Sequence, residues 1–391
     1  MATFSVRFLG CKVSHVDAHE LRERLLADGH RERGGDADVA VVNTCCVTQE
    51  AVAKSRKEAA RAARTHRRVY VTGCAANLAV NAFAGLPGNV VVVNRRSEAA
   101  ARFVADDVGT LGCVQADARF DRVRAFVKVQ DGCSFSCNFC VIPLVRGTSR
   151  SRPAAAVLRE VERRVAQGHR EVVLTGINLG CFRDRAEGYD LAGLVREVGQ
   201  TSGLERVRLS SIEINHVGQR LVAALRDTPT VSRHLHVPLQ SGDDGVLAAM
   251  RRRYTATAFQ RAMGRARERV PGVNLTTDVI VGHPAEDDAA FERTLAAVRA
   301  AGFTRVHVFP YSPRPGTADE ASDPVPAAVK AERSRRLREL GERQARAHRR
   351  ALRGTPQLVL VETEAGRGYA DDYTPLVVPG GRPGTMVEVV A

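Results

Sequence analysis

The chain has 391 residues, of which 44% are hydrophobic and 26% are charged. This balance is typical of a folded globular protein and excludes a largely disordered chain, and the length favours two or three domains. No apolar run reaches the roughly 18 residues of a membrane helix, and the opening residues MATFSVRFLGCK do not resemble a secretory signal. We therefore expect a cytoplasmic protein without a membrane partner.

The formal net charge of +14 comes mostly from arginine. Such an excess favours a polyanionic partner, because lysine and arginine gain affinity by releasing counterions from phosphates. An arginine-rich genome is the alternative explanation.

The first part of the chain alternates short apolar runs with stretches of helical period. Strands are predicted at 3–9, 38–43, 68–72 and 89–93, and helices near 17–28, 47–65 and 97–105. A parallel sheet that is covered by helices on both faces has strands that read as continuous apolar runs. The apolar runs seen here therefore predict a doubly wound α/β domain over 1–118.

A second alternation fills the middle of the chain and predicts an α/β domain over 119–352. Its strands are expected at 124–130, 171–176, 205–210, 233–238, 274–281 and 304–309. Six βα units favour a partial (β/α)6 barrel with functional residues on the loops after the strands, and an open doubly wound sheet is the alternative. A Pro/Gly-rich segment at 310–326 and a basic helix near 327–352 end this block.

The last segment, 353–391, carries the short β-like runs QLVLVE, TPLVV and MVEVV between glycines. This pattern predicts a small all-β barrel that depends on its neighbour for stability.

Three cysteines in the spacing C-x3-C-x2-C follow the strand predicted at 124–130. Cys133, Cys137 and Cys140 offer three thiolates, whereas a structural zinc site needs four ligands. A four-iron cluster held by three thiolates keeps one iron open, and that iron could bind the amino and carboxylate groups of S-adenosylmethionine. The alternatives are a zinc site completed by a distant residue and plain buried cysteines.

Three dispersed cysteines each follow a predicted strand of the first domain. Cys11, Cys45 and Cys74 would meet at one edge of a parallel sheet and could hold a second cluster. Cys46 competes with Cys45, because adjacent residues do not easily both point at one metal. We favour Cys45 as the ligand. Small, partly buried residues in turns are the alternative, and Cys113 and Cys181 belong to neither set.

Taken in order, these motifs resemble the radical S-adenosylmethionine methylthiotransferases. LGCKV, NTCCVT and VTGCAAN resemble the family's auxiliary-cluster motifs, and DGCSFSCNFCVIPLVRGTSRSR resembles its radical-cluster loop. VVLTGINLG, RLSSIE, HLHVPLQSG, TDVIVG and FPYSPRPGT follow in the family's order. GYADDYTPLVV is similar to its C-terminal RNA-binding TRAM domain.

The resemblance implies two 4Fe-4S clusters, an auxiliary one on Cys11, Cys45 and Cys74 and a radical-generating one on Cys133, Cys137 and Cys140, together with S-adenosylmethionine. It also implies tRNA as substrate, an electron donor such as flavodoxin or ferredoxin, and a sulfur donor. LGCKV and FPYSPRPGT are most similar to the subgroup that adds a methylthio group to C2 of N6-threonylcarbamoyladenosine at tRNA position 37. Sister subgroups act on isopentenyladenosine-37 or on an aspartate of a ribosomal protein, and an iron-sulfur RNA-binding protein or electron carrier is the non-enzyme alternative.

Residues at the ends of the predicted barrel strands are candidates for the S-adenosylmethionine pocket: Thr175, Gly176, Ser211, Glu213 and Gln240. Two arginine runs and the helix that follows the barrel could contact RNA phosphates. The loop candidates for RNA binding are Arg146, Arg150, Arg152, Arg251, Arg252 and Arg253.

Overall fold

The structure is a computed structural model that describes residues 2–35, 37–78, 80–94 and 123–391. The helix expected at 97–105, the domain boundary expected at 118 and Cys113 lie outside these residues. The described helices include none long and apolar enough to cross a membrane.

The N-terminal part is a parallel sheet of order β2-β1-β3-β4-β5. Its strands are β1 (Thr3–Phe8), β2 (Arg31–Glu32), β3 (Val39–Thr44), β4 (Arg68–Gly73) and β5 (Val90–Val92). The four predicted strands are confirmed; β2 is a pair of exposed residues without an apolar pattern.

Two helices cover opposite faces of this sheet, as expected for a doubly wound domain. Val39 and Val41 pack with Leu25 of α1 (Lys12–Ala27), and Ala40 and Val42 pack with Ala59 of α2 (Gln49–Ala63). Helix α1 begins earlier than predicted. Its N-cap is Cys11, which has an extended backbone and makes no side-chain capping hydrogen bond. The sequence lacks the usual Ser, Thr, Asp or Asn signal at that point.

The central part contains six parallel strands whose order follows the chain. They are β6 (Ala125–Asp131), β8 (Glu171–Gly176), β11 (Arg206–Leu209), β12 (His234–His236), β13 (Asn274–Val281) and β14 (Arg305–Pro310); the short strands β7 (Arg150–Ser151), β9 (Arg183–Asp184) and β10 (Tyr189–Asp190) lie between them. Bridges at Val207 with Val231 and at Ser211 with His236 join β11 to β12. Because the order never reverses, the partial barrel is confirmed over the open doubly wound sheet.

Helices connect the barrel strands and cover their outer face. They are α3 (Ile142–Arg146), α4 (Ala154–Ala166), α5 (Leu191–Gly199), α6 (Gln219–Asp227), α7 (Asp244–Ala249), α8 (Ala256–Arg269), α9 (Asp288–Ala301) and the long basic α10 (Ala327–Ala351). Helix α1 of the N-terminal part packs against β6, where Val16 meets Phe126 and Val173.

The C-terminal part is an antiparallel sheet of order β17-β16-β15-β18, which confirms the all-β prediction. Its strands are β15 (Pro356–Val361), β16 (Arg367–Tyr369), β17 (Pro375–Val377) and β18 (Met386–Val390). Arg206, the first residue of β11, donates hydrogen bonds to the carbonyls of Leu358 and Tyr369. The sheet therefore closes the amino ends of the barrel strands, opposite the cysteine loops.

Candidate active site

Cys11, Cys45 and Cys74 follow β1, β3 and β4 at the carboxyl edge of the N-terminal sheet. The strand order reverses between β1 and β3, which opens a crevice at this edge. A Cβ atom placed on Gly10 would lie 3.3 Å from the Cys45 Cβ, so the two loops approach closely. The described structure thus brings these three residues into one crevice.

Cys46 directly follows Cys45 in the same loop. It is 0% exposed and packs in the apolar core with Ala40, Val42 and Val71. A hydrogen bond to Cys74 and burial raise the pKa of the Cys46 thiol. Cys74 belongs to the same apolar cluster, so burial does not separate Cys45 from Cys46, and the assignment of Cys45 as the ligand stays a prediction.

Cys133, Cys137 and Cys140 lie on the loop between β6 and α3. Gln130, which is 0% exposed, holds this loop by donating to the carbonyls of Asp131 and Gly132 and by accepting from the Asn178 amide. The Cys133 amide donates to the Gly147 carbonyl at 3.0 Å, which closes the loop onto the end of α3.

Several donors point at the sulfur atoms of this loop. The Phe135 amide lies 3.4 Å from the Cys133 sulfur, and Arg252 Nη1 lies 3.3 Å from the Cys137 sulfur. Asn178 Nδ2 lies 3.8 Å from the Cys133 sulfur. Such donors stabilise thiolates, the form in which cysteine binds iron, so the donor set suits an iron-sulfur cluster.

The thiols of each set also interact electrostatically. Burial raises the pKa of Cys45, and Cys11 and Cys74 raise it further. Burial likewise raises the pKa of Cys140 to about 12, with further contributions from Cys137 and Cys133. Thiols that lie close together disfavour one another's ionisation, because the resulting negative charges repel. A bound cationic metal centre removes this penalty and deprotonates its thiol ligands.

Arg146 joins the two cysteine sets. Its Nε donates to the Cys74 sulfur at 3.1 Å, while its Nη atoms bind Asp131 at 3.0 Å and Asp17 at 2.7 Å. The Cys46 hydrogen bond and the positive charge of Arg146 lower the pKa of Cys74 to about 6 despite burial. A residue of the radical-cluster loop thus supports a thiol of the other set.

Arg314 makes a second connection, from the segment after β14. Its guanidinium donates to the Val47 carbonyl at 2.7 Å and 3.1 Å, next to the Cys45–Cys46 turn. One cavity lies beside this contact, bounded by Val47 and Thr48 on one side and by Phe139 and Cys140 on the other. Both cysteine loops therefore border the same cavity.

The residues predicted to bind S-adenosylmethionine differ in their surroundings. Gln240 lines the cavity in the left-handed conformation (φ 64°), and Glu213 forms an ion pair with Arg252 beside Cys137. Ser211 pairs with β12 at the adjacent strand end, whereas Thr175 is only 1% exposed within β8. A Cβ on Gly176 would lie 3.0 Å from Gln130 Oε1, so this glycine lets the loop-holding glutamine pack.

Two of the arginines predicted to contact RNA are buried in ion pairs. Arg146 is 5% exposed, and the Arg252 side chain is 4% exposed and bound to Glu213, so neither guanidinium is available to a phosphate. Arg152 binds Glu160 at 2.6 Å and stays partly exposed. Arg150, Arg251 and Arg253 lie on the surface and remain candidates.

Sequence reasoning missed Gln130, Asn178 and Arg314 as parts of the site. Gln130 and Asn178 stand beside the motifs already singled out, in VQDGC and GINLG. The signal that could have identified them was the position of a polar side chain at the end of a predicted strand. Cys181, which belongs to neither set, lies 3.4 Å from His216 Nε2.

Comparison with known proteins agrees with this geometry. Residues 127–298 match the model of the Radical SAM superfamily, and residues 3–94 match that of Uncharacterized protein family UPF0004. The threonylcarbamoyladenosine tRNA methylthiotransferase MtaB of Bacillus subtilis is 34% identical over 97% of this chain and 91% of its own length. The chain belongs to the radical S-adenosylmethionine methylthiotransferases. This methylthiotransferase is also 34% identical, over 98% of its length, to the tRNA-2-methylthio-N(6)-dimethylallyladenosine synthase of Cereibacter sphaeroides, covering 94% of that protein.

A solved structure supports the fold. The radical S-adenosylmethionine methyltransferase TsrM from Kitasatospora setae superposes with a TM-score of 0.56 at 15% identity, covering 81% of this chain and 76% of that one. Family membership makes the protein an enzyme that uses an iron-sulfur cluster and S-adenosylmethionine, and so overturns the zinc and non-enzyme interpretations.

Proposed function

We propose that this enzyme adds a methylthio group to C2 of N6-threonylcarbamoyladenosine at position 37 of tRNA, using two 4Fe-4S clusters. The observation that carries the proposal is the cavity that the radical-cluster loop shares with Val47 and Thr48, which follow the Cys45–Cys46 turn. Methylthiolation of an unreactive C–H carbon needs a radical generator and a sulfur source at one place. The shared cavity supplies such a place.

Cys133, Cys137 and Cys140 would hold the radical-generating cluster, and Cys11, Cys45 and Cys74 the auxiliary one. When bound, the clusters and S-adenosylmethionine supply the electron, the radical and the sulfur for the reaction. An electron donor and a sulfur donor complete the set of partners.

The chain's own residues orient these groups and keep water away from them. Arg252 and Asn178 donate toward the sulfurs of the radical loop, and Phe139 and Phe309 give the cavity apolar walls. An apolar enclosure protects a reactive carbon radical from side reactions. Arg146 and Arg314 hold the two loops at a fixed separation.

The MtaB relatives support the threonylcarbamoyl substrate, and the net charge of +14 suits a tRNA. Mass spectrometry of tRNA nucleosides from a strain lacking this gene tests the proposal. We expect loss of the 2-methylthio form of N6-threonylcarbamoyladenosine and its return when the gene is restored. Unchanged levels of that nucleoside would exclude the proposed substrate.

A second candidate substrate is the dimethylallyl-modified adenosine of tRNA. The similar identity to dimethylallyladenosine synthases from several organisms favours it. The same nucleoside analysis separates the two, because the second candidate predicts loss of a methylthio nucleoside with an apolar N6 substituent.

A further inference from the structure

A cleft lies at the junction of the barrel, helix α10 and the C-terminal sheet. Arg305 at the beginning of β14 lines one side, a face of α10 lines another, and Thr374 and Pro375 line the third. A Cβ atom placed on Gly341 would lie 3.3 Å from Val306 Cγ2, so this glycine lets α10 approach β14 closely. The volume of the cleft is about 450 Å³, a size typical of pockets that enclose a small ligand.

Three arginines line this cleft without a partner. Arg305, Arg338 and Arg349 are exposed, and within the part of the chain that the structure describes their guanidinium groups make no hydrogen bond or ion pair. Arg338 and Arg349 are about three helical turns apart, so they share one face of α10. In contrast, Arg335 and Arg346 form ion pairs with glutamates of the same helix.

Other polar groups of the cleft are already engaged. His348 binds Asp372 at 2.6 Å, and the side-chain amide of Asn274 donates to the Asp372 carbonyl at 2.8 Å. Glu342, an acidic residue that also lines the cleft, pairs with Arg346. The charge of the three arginines is therefore not neutralised, and the cleft suits an anion that accepts several charge-assisted hydrogen bonds.

The cleft and the proposed reaction cavity lie along the same strand. Arg305 begins β14, and Phe309, which lines the cavity, lies four residues later on the same face of the strand. Among the described strands, β14 pairs only with β13, so its other edge is unpaired. A ligand that follows this edge would span about 13 Å between the two sites, at about 3.3 Å per residue.

We propose that Arg305, Arg338 and Arg349 bind backbone phosphates of the substrate tRNA. The inference rests on the proposed function, because it assumes that a tRNA nucleotide occupies the cavity. Successive phosphates of a stacked strand are about 3.4 Å apart along the helix axis, so the bound phosphates lie about four nucleotides from the modified one. The RNA at that distance belongs to the paired stem of the anticodon arm. The cleft therefore holds the stem while the cavity receives a nucleotide of the loop.

The experiment compares two double variants of the same helix. Arg338→Gln with Arg349→Gln removes two charges from the cleft, whereas Arg343→Gln with Arg350→Gln removes two exposed, unpaired charges outside it. Fluorescence titration at several salt concentrations measures binding of a labelled anticodon arm to the reconstituted enzyme. We expect the cleft variant to bind about tenfold more weakly and to reduce the slope of log affinity against log salt by about 1.5. The control variant should stay close to wild type, and the iron content of both variants shows that they are folded.

A second RNA, the same arm cut to its loop nucleotides, tests where the contact lies. Because this RNA lacks the stem, wild type and the cleft variant should bind it equally. Equal losses in the two double variants on the complete arm would indicate a diffuse charge effect and overturn the proposal.

The remaining outcomes separate this inference from the proposed function. A cleft variant that binds the complete arm as wild type does would assign the cleft to a free phosphate or to no ligand, and the inference would be wrong. The proposed function stands in that case if wild type methylthiolates the threonylcarbamoyl-bearing arm. A wild type that binds this arm without methylthiolating it overturns the function instead.

Discussion

Arg146 Nε lies 3.1 Å from the sulfur of Cys74, although the two residues belong to different parts of the chain. The same guanidinium binds Asp17 on α1 and Asp131 at the end of β6. The two carboxylates fix the arginine in place, so its donor to the sulfur is pre-oriented. The radical-cluster loop therefore shapes the electrostatics of the auxiliary site.

We predict that Arg146→Met lowers the reduction potential of the auxiliary cluster. Hydrogen bonds and positive charge near a cluster sulfur favour the reduced, more negative state, so their loss disfavours reduction. The measurement is a redox titration followed by electron paramagnetic resonance, in a chain that also carries Cys133→Ala, Cys137→Ala and Cys140→Ala. Arg253→Met, which removes a surface arginine that lies over the Phe135 ring, is the control. An unchanged potential in Arg146→Met would refute the coupling.

Replacing Cys133, Cys137 and Cys140 by alanine should remove about half of the roughly eight irons expected from two four-iron clusters. Formation of 5′-deoxyadenosine should stop as well. Replacing Cys11, Cys45 and Cys74 should remove the other half and leave 5′-deoxyadenosine formation in place. Iron analysis after anaerobic reconstitution checks both results, and full iron retention in either triple variant would refute that ligand set.

Cys46→Ala is the matched control for these variants, since Cys46 is next to Cys45 but lies in the apolar core. We expect it to retain all the iron and to lose only a little stability, because alanine leaves a small cavity. Loss of about four irons in Cys46→Ala, with retention in Cys45→Ala, would exchange the two assignments.

The repeating patterns of the chain were predictable, and single long-range contacts were not. Strands β8 and β13 coincide with the predicted ranges, and the signal was the short apolar run that each contains, VVL in β8 and VIV in β13. Cysteines after strands predicted convergence because parallel strands end at one edge. Arg146 was predicted to contact RNA because it belongs to a run of basic residues. Its partners in the structure, Asp17 and Cys74, are 129 and 72 residues away in sequence. A local charge pattern does not reveal such partners.

Glu23 on α1 should make the contact between the N-terminal sheet and the barrel sensitive to acid. It accepts hydrogen bonds from Arg163 and Arg164 of α4, each at 2.9 Å. Burial alone would raise its pKa, but His19 and the two arginines outweigh burial and lower the pKa to about 2 from 4.5. Its contribution to stability is therefore complete above pH 4.5 and disappears as the pH falls toward 2.

Accordingly, Glu23→Gln should lower the free energy of unfolding by about 3 kcal/mol at neutral pH. The difference in unfolding free energy between wild type and Glu23→Gln should shrink as the pH falls below the pKa of an ordinary glutamate. Urea unfolding at a series of pH values measures it. Glu342→Gln, in an exposed pair with Arg346, should have little effect at any pH. A Glu23→Gln deficit that does not vary with pH would show that packing, and not charge, is responsible.

The surface arginines of the two loops should govern the salt dependence of tRNA binding. Arg150, Arg251 and Arg253 lie on the surface beside the radical-cluster loop, and the guanidinium of Arg253 lies 5.4 Å from the centre of the Phe135 ring. If each contacts one phosphate, the triple change to glutamine should reduce the slope of log affinity against log salt by about 2 to 3. Fluorescence titration of labelled tRNA at several salt concentrations measures this slope. Arg335→Gln is the matched control, because that exposed arginine is already paired with Glu332 and Glu339. A slope that stays the same in the triple variant would place the tRNA on another surface, and the basic face of α10 would be the next to test.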